Sequence, residues 1–181
     1  MTFPSLNEEV FPMVVIETSR LVLRRLEERD AEFILTLVND PAWLEFIGDK
    51  GVRTLDDACV YLRNGPLAMY AQHGHGLYCV ESKASGEAIG LCGLIKRDTL
   101  PDVDLGYAFL PPARGGGYAF EAASATMAYA RETLGLQRVV AIVSPGNARS
   151  IALLEKLGFR FEKSLQLPPK EDRETWLYAA A

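Results

Sequence analysis

Hydrophobic residues recur along the chain with two periods, alternate positions in some stretches and every third or fourth in others, and these periods predict strands and helices respectively. Leu21-Val22-Leu23-Arg24 reads as a strand entered through Thr18-Ser19-Arg20, while residues 1–12, with Pro4 and Pro12, read as an extended lead-in. Phe11 to Ile16 reads as an extra edge strand. Asp30 is placed to cap a helix with Phe33, Ile34, Leu37 and Val38 on one face, ending before Asn39-Asp40-Pro41. Trp43, Phe46 and Ile47 predict a short second helix closed by Gly48. Thr54-Leu55-Asp56-Asp57 resembles a capping box with Asp in place of Glu, opening a helix with Ala58, Tyr61 and Leu62. Gly65-Pro66 should interrupt it, leaving Leu67 to Ala71 as one more turn.

Beyond a connector at His73-Gly74-His75-Gly76, the pattern changes to runs of alternating or continuous apolar residues. Leu77 to Glu81, Ala88 to Ile95 and Val103 to Phe109 predict three strands in an antiparallel meander, with Gly86 and the stretch Asp98 to Pro101 at its turns. A helix from Tyr118 to Leu134 then places Phe120, Ala123, Met127, Ala130 and Leu134 along one face, and Gly135 ends it. Val139 to Val143 is a fully apolar strand, expected parallel to the one before the helix through a right-handed crossover. Asn147 to Leu157 is a helix stopped by Gly158, with Phe159 as its apolar C-terminal contact. Phe159 to Leu165 and Thr175 to Ala179 predict the last strands, separated by a polar loop with Pro168 and Pro169. The expectation is one α/β domain: a mixed, mostly antiparallel twisted sheet with helices on both faces.

Composition narrows the classes. The chain has 181 residues, 49% hydrophobic and 24% charged, enough for one buried core. A net charge of −5 gives no support to a nucleic-acid partner and mildly suits a cationic acceptor such as an amine. Cys59, Cys79 and Cys92 are widely spaced without paired motifs, so they read as free thiols of a cytoplasmic protein, with no metal site expected. No apolar run is long enough to span a bilayer, and the N-terminus does not read as a secretory signal.

The chemistry concentrates at Leu110 to Ala119, Leu-Pro-Pro-Ala-Arg-Gly-Gly-Gly-Tyr-Ala. Glycines between a strand and a helix leave backbone N–H groups unobstructed, and the first turn of the helix adds its own unpaired donors, so the stretch reads as an anion site. No Lys-Ser/Thr follows Gly117, which removes the phosphate-loop pattern, and Phe120 stands where a dinucleotide fingerprint needs its third glycine.

Arg114-x-x-Gly117-x-Ala119 is followed by Asn147-x-x-Ser150 and Glu155-Lys156-Leu157-Gly158-Phe159. With Glu17 to Arg24 and Asp104-Leu105-Gly106-Tyr107, these segments resemble the GNAT superfamily of acetyl-CoA-dependent N-acetyltransferases, most closely the branch of ribosomal-protein N-terminal acetyltransferases. The resemblance runs from about Thr18 to Tyr178 and implies acetyl transfer from acetyl-CoA to a primary amine by direct attack in a ternary complex.

It implies that the amides of Gly115, Gly116, Gly117, Tyr118 and Ala119 hold the CoA pyrophosphate with Arg114 nearby, although Arg114 also fits a solvated surface residue. Backbone groups of Phe109 and Leu110 would pair with pantetheine, with the Leu110 amide donating to the thioester oxygen. Asn147 is either a helix cap or a ligand of the cofactor; Ser150 is either a helix-turn hydrogen-bonding residue or the donor to the departing thiolate. Asp104 stands where the family usually has Glu, as a base or as a structural or amine-binding carboxylate, and Tyr107 beyond it shapes the cleft or packs in the core. Leu154 replaces the tyrosine acid of many relatives. That departure keeps a second reading open, an acyl-CoA-binding or sensing module without turnover. Trp43 and Phe46 line an acceptor pocket or pack in the core, and His73 and His75 read as solvated. A homodimer remains open.

Overall fold

The computed structural model describes residues 13–168 and 173–180. The expected lead-in over residues 1–12 and Pro169 lie outside them.

Eight strands form one sheet: β1 (Val14–Glu17), β2 (Leu21–Arg25), β3 (Leu77–Ser82), β4 (Ala88–Ile95), β5 (Asp104–Phe109), β6 (Val139–Val143), β7 (Arg160–Gln166) and β8 (Glu174–Ala180). Their order is β1-β2-β3-β4-β5-β6-β8-β7. Every neighbouring pair is antiparallel except β5 and β6, which run parallel and meet at the single pair Asp104↔Val140. Past that pair the two strands share no ladder, and the opening between them organises the site.

The helices are α1 (Ala31–Val38), α2 (Pro41–Phe46), α3 (Leu55–Leu62), α4 (Ala68–His73), α5 (Tyr118–Glu132) and α6 (Ala148–Lys156). Alternation of side chains along the strands sends one set to each face. Cys92, Leu94, Leu105 and Phe109 pack under α5 and α6 with Ala123, Met127 and Leu154, while Cys79 and Leu91 pack under α1–α3 with Ile34, Leu37 and Leu62. Gly90 sets the fit of β4 to β5, since a Cβ there would lie 2.5 Å from the Phe109 ring and 2.7 Å from the Ala108 carbonyl oxygen.

Several local expectations change. Asp30 stands at the N-cap of α1 without a side-chain cap bond there, because its carboxylate receives two hydrogen bonds from Arg24, at 2.8 and 2.9 Å, and one from the Glu27 amide. Gly65-Pro66 does not break the helix: the chain widens into a π turn over Arg63–Leu67 and continues into α4, a solution for a residue that has no N–H to donate. His75 is buried, its Nδ1 2.8 Å from the Leu94 carbonyl oxygen, so it is a structural donor and not a solvated ring. The buried stripe of α5 is Ala122, Ala123, Thr126, Met127 and Ala130; Phe120 lies off it, beneath the Lys156 ammonium. The capping box of α3 holds as expected, Thr54 accepting from the Asp57 amide and Asp57 from the Thr54 amide.

Candidate active site

The glycine loop follows a short turn at Pro111–Ala113 and enters α5 with Gly115 and Gly117 at φ +85° and +80°. Left-handed backbone at those two positions excludes β-branched side chains and turns the loop sharply into the helix. No backbone hydrogen bond of good geometry from the amides of Gly115, Gly116, Gly117, Tyr118 or Ala119 is present among the described residues, which leaves this row of donors available at the positive end of α5.

Arg20 holds the loop in shape. Its Nη1 donates to the Gly116 carbonyl at 3.0 Å, its Nε pairs with Glu121 at 2.6 Å, and its guanidinium lies over the Tyr118 ring at 4.4 Å. Burial pulls the Glu121 carboxyl upward, but hydrogen bonds from Thr18 and Arg20 outweigh it and hold the group below its usual range. From the sequence Arg20 is only part of a strand entry, since its partner Glu121 is 101 positions away.

Arg114 turns the other way. It donates Nε to the Phe109 carbonyl at 3.1 Å and Nη2 to Asp40 at 2.6 Å, tying the loop to the start of α2. It is therefore not a solvated surface residue: it is held at the cavity wall by these two contacts.

Leu110 also differs from expectation. Its amide donates to the Ile89 carbonyl at 2.9 Å, closing the β4–β5 ladder, and is not free for a ligand. Because backbone groups alternate between the two edges of a strand, Tyr107 and Phe109 direct theirs away from β4, into the opening beside β6. The free amide at this level belongs to Phe109.

Asp104 marks the point where β5 and β6 last touch and is only 1% exposed. Arg97 Nε reaches both carboxylate oxygens, at 3.0 and 3.3 Å. Burial raises the Asp104 carboxyl above the usual range, and Arg97 only partly offsets it. On the other face, Tyr107 Oη lies 2.8 Å from Ser150 Oγ and donates to the Ser150 carbonyl at 3.2 Å. Burial pushes the Tyr107 phenol up to about 12, against the pull of the Ser150 hydrogen bond. Asn147 caps α6, its Oδ1 accepting from the Ser150 amide at 3.2 Å, which leaves its Nδ2 hydrogens for another partner. Leu154, one turn beyond Ser150, is buried in the core.

One cavity of about 830 Å³ is lined by Phe109, Arg114 and Ala119 around the glycine loop, by Asn147 and Ser150 of the α6 start, and by Asp104, Arg97, Trp43 and Phe46. Trp43 is buried in the α1–α3 core and also lines the cavity. Burial pushes the Cys79 and Cys92 thiols up to about 12, so neither supplies a thiolate nucleophile. No helix of the described residues is long and apolar enough to cross a membrane, and no group of three or more His, Cys, Asp or Glu among them is placed to hold a metal.

A family model for the acetyltransferase (GNAT) domain matches residues 20–160. The chain belongs to the GNAT acetyltransferases. It is 28% identical over 158 residues to the uncharacterized N-acetyltransferase YoaA of Bacillus subtilis (strain 168), across 87% of this chain and 88% of YoaA. The solved acetyltransferase of Agrobacterium tumefaciens str. C58 is similar at TM-score 0.77 and 30% identity, across 94% of this chain and 96% of that one. RimL, a ribosomal L7/L12 alpha-N-protein acetyltransferase solved in complex with coenzyme A, matches at TM-score 0.77 and 18% identity, across 92% and 97% of the two chains; that likeness is one of fold.

As a GNAT enzyme the protein is an acetyl-CoA-dependent acetyltransferase. Its residues fit that co-substrate: unpaired amides and left-handed glycines at Gly115–Gly117 suit a pyrophosphate, and the free edges of β5 and β6 suit an extended pantetheine chain.

Proposed function

We propose that the protein acetylates a primary amine by direct attack within a ternary complex, with Asp104 as base. The observation that carries this reading is the buried Asp104 carboxyl, raised above its usual range where β5 and β6 pair, lining a cavity that extends to Arg114 and Ala119 on either side of the glycine loop. Bound acetyl-CoA supplies an activated acyl thioester.

The acceptor must shed a proton before its nitrogen can attack, and a free α-amine near pKa 8 is only about one-tenth neutral at pH 7. Asp104 accepts that proton, directly or through one water, and burial makes it a better acceptor than an exposed aspartate. The Phe109 amide, directed into the opening, is the donor placed for negative charge growing on the acyl oxygen. With the Tyr107 phenol turned to donate to Ser150 Oγ, the Ser150 hydroxyl keeps its own hydrogen for the sulfur as its bond to carbon breaks. No covalent enzyme intermediate is required, consistent with the two buried, protonated cysteines.

Thiol release from acetyl-CoA across a panel of amines tests the proposal. Amine-dependent release that Asp104→Asn abolishes supports it. Tight acetyl-CoA binding with no turnover on any amine returns the sensing reading.

A further inference from the structure

The cavity is charged differently from the protein as a whole. The chain carries −5, yet the charged side chains lining the cavity are Lys50, Arg97, Arg114 and Arg149 against Asp40 and Asp104. Both carboxylates are already committed: Asp40 to Arg114 at 2.6 Å, and Asp104 to Arg97 at 3.0 Å. A pocket built for a polycation would present carboxylates without cationic partners, because each ammonium carried out of water needs one. Here a second or third ammonium would find none. The overall acidity, which by itself mildly suits a cationic acceptor, does not extend to the site.

What the acceptor side offers is apolar surface and two polar groups. Trp43 and Phe46 from α2 and Met69 from α4 face the cavity on the same side as Asp104. Tyr61 also lines it and hydrogen-bonds to no described residue, and the positive charge of Arg97 bears on its phenol. A phenol that lines the same cavity as the Arg97 guanidinium and Asp104, with no hydrogen-bond partner among the described residues, suits an oxygen carried by the acceptor.

We infer that the acceptor is an α-amine beside a carbonyl or carboxylate oxygen and borne on an apolar side chain: an apolar amino acid, or a peptide that begins with one. The inference rests on the transfer reading above only for its chemistry, since the pocket can be tested for binding alone. Asp104 takes one proton from the ammonium; the nitrogen then attacks and forms the new amide bond, the C–S bond breaks with its pair on sulfur, and the second proton the nitrogen sheds goes to that sulfur, so CoA leaves as the thiol. Tyr61 and Arg97 hold the neighbouring oxygen, and Trp43, Phe46 and Met69 enclose the side chain.

The test compares leucine, a Leu-Ala dipeptide, glycine, 3-methylbutylamine, spermidine and kanamycin as acceptors, in the wild type and in Tyr61→Phe. Leucine or the dipeptide should exceed glycine in kcat/KM by at least about tenfold, the value of an apolar side chain in a fitted pocket, and should exceed both polycations. The leucine-to-dipeptide ratio separates free amino acid from peptide N-terminus. Tyr61→Phe should lower leucine turnover about tenfold more than 3-methylbutylamine turnover. Preferred turnover of spermidine or kanamycin overturns the inference, as does an equal effect of Tyr61→Phe on leucine and the alkylamine.

Calorimetry gives a readout without turnover: 2-hydroxy-4-methylpentanoate, leucine with its amine replaced by hydroxyl, should bind the CoA complex saturably and more weakly in Tyr61→Phe. CoA binding with no turnover on any amine contradicts the transfer reading alone. Absence of hydroxy-acid binding to the CoA complex contradicts the pocket assignment.

Discussion

Tyr107 Oη lies 2.8 Å from Ser150 Oγ and joins the middle of β5 to the first turn of α6. The pair occupies the face of the sheet opposite Asp104, so the proposed base and the proposed leaving-group donor flank the β5–β6 opening from two sides. With its phenol pushed up to about 12, Tyr107 stays protonated across the working range and orients the serine hydroxyl without titrating. Ser150→Ala should therefore lower kcat by roughly tenfold to a hundredfold, in the range of one lost hydrogen bond to a charged atom. Tyr107→Phe should lower it less, and in neither variant should the alkaline side of the pH–rate profile move. A shift of that limb in Tyr107→Phe would instead make Tyr107 a titrating acid.

Asp104→Asn should separate activity from stability. Loss of the base should cut kcat/KM by about 10²–10⁴ and remove the acidic limb of the profile. Burial raises the native carboxyl above its unfolded value, so the folded state binds the proton more tightly, and stability falls as pH rises from the unfolded value through the folded one. Asn carries no charge to bury. The variant should melt higher than wild type at pH 7, and the difference should vanish below the ordinary carboxylate range. Thermal melts across pH measure it.

The Arg24–Asp30 pair gives the opposite sign. Burial pushes the Asp30 carboxyl up, but the Arg24 hydrogen bonds and the Glu27 amide outweigh it, and the net shift is downward. Its stabilisation is therefore present above the unfolded carboxylate value and is lost as pH falls through the folded one. Asp30→Ala leaves Arg24, 3% exposed, with Glu81, at 3.0 Å, as its one ionic partner among the described residues. A loss of about 3–5 kcal/mol is expected in urea unfolding at pH 7. A loss below about 1 kcal/mol would place this pair with ordinary surface salt bridges.

Gly117→Ala isolates the loop. With φ at +80° the substitution strains the backbone by about 1–2 kcal/mol, and the cheapest relief is to rotate the loop amides out of line. CoA affinity should fall at least about tenfold in calorimetry while the circular dichroism spectrum is retained. Undiminished affinity would move the pyrophosphate away from this loop.

The strands of the sheet were legible because they are continuous or alternating apolar runs: Ala88 to Ile95 and Val139 to Val143 stand in the structure with the bounds the pattern predicts. The cap residues Thr54 and Asn147 were legible because capping depends on neighbours three positions away. Leu110 was not. Which edge of a strand an amide faces depends on register with the neighbouring strand, and a one-residue change of parity moves the free donor to Phe109.

The partners of Arg114 and Arg20 were hidden for a related reason: a long cation near a glycine loop can turn either way, and Asp40 and Glu121, both distant in sequence, decide it. The charge of the cavity was hidden likewise, since net charge sums over a surface that the acceptor never meets.

Initial-rate kinetics of thiol release, with acetyl-CoA and leucine varied together, test direct transfer within a ternary complex most plainly. Intersecting double-reciprocal lines are the expected result, with amine-independent release negligible. Parallel lines, with acetylated protein trapped in the absence of amine, would contradict direct attack and require a nucleophile on the enzyme.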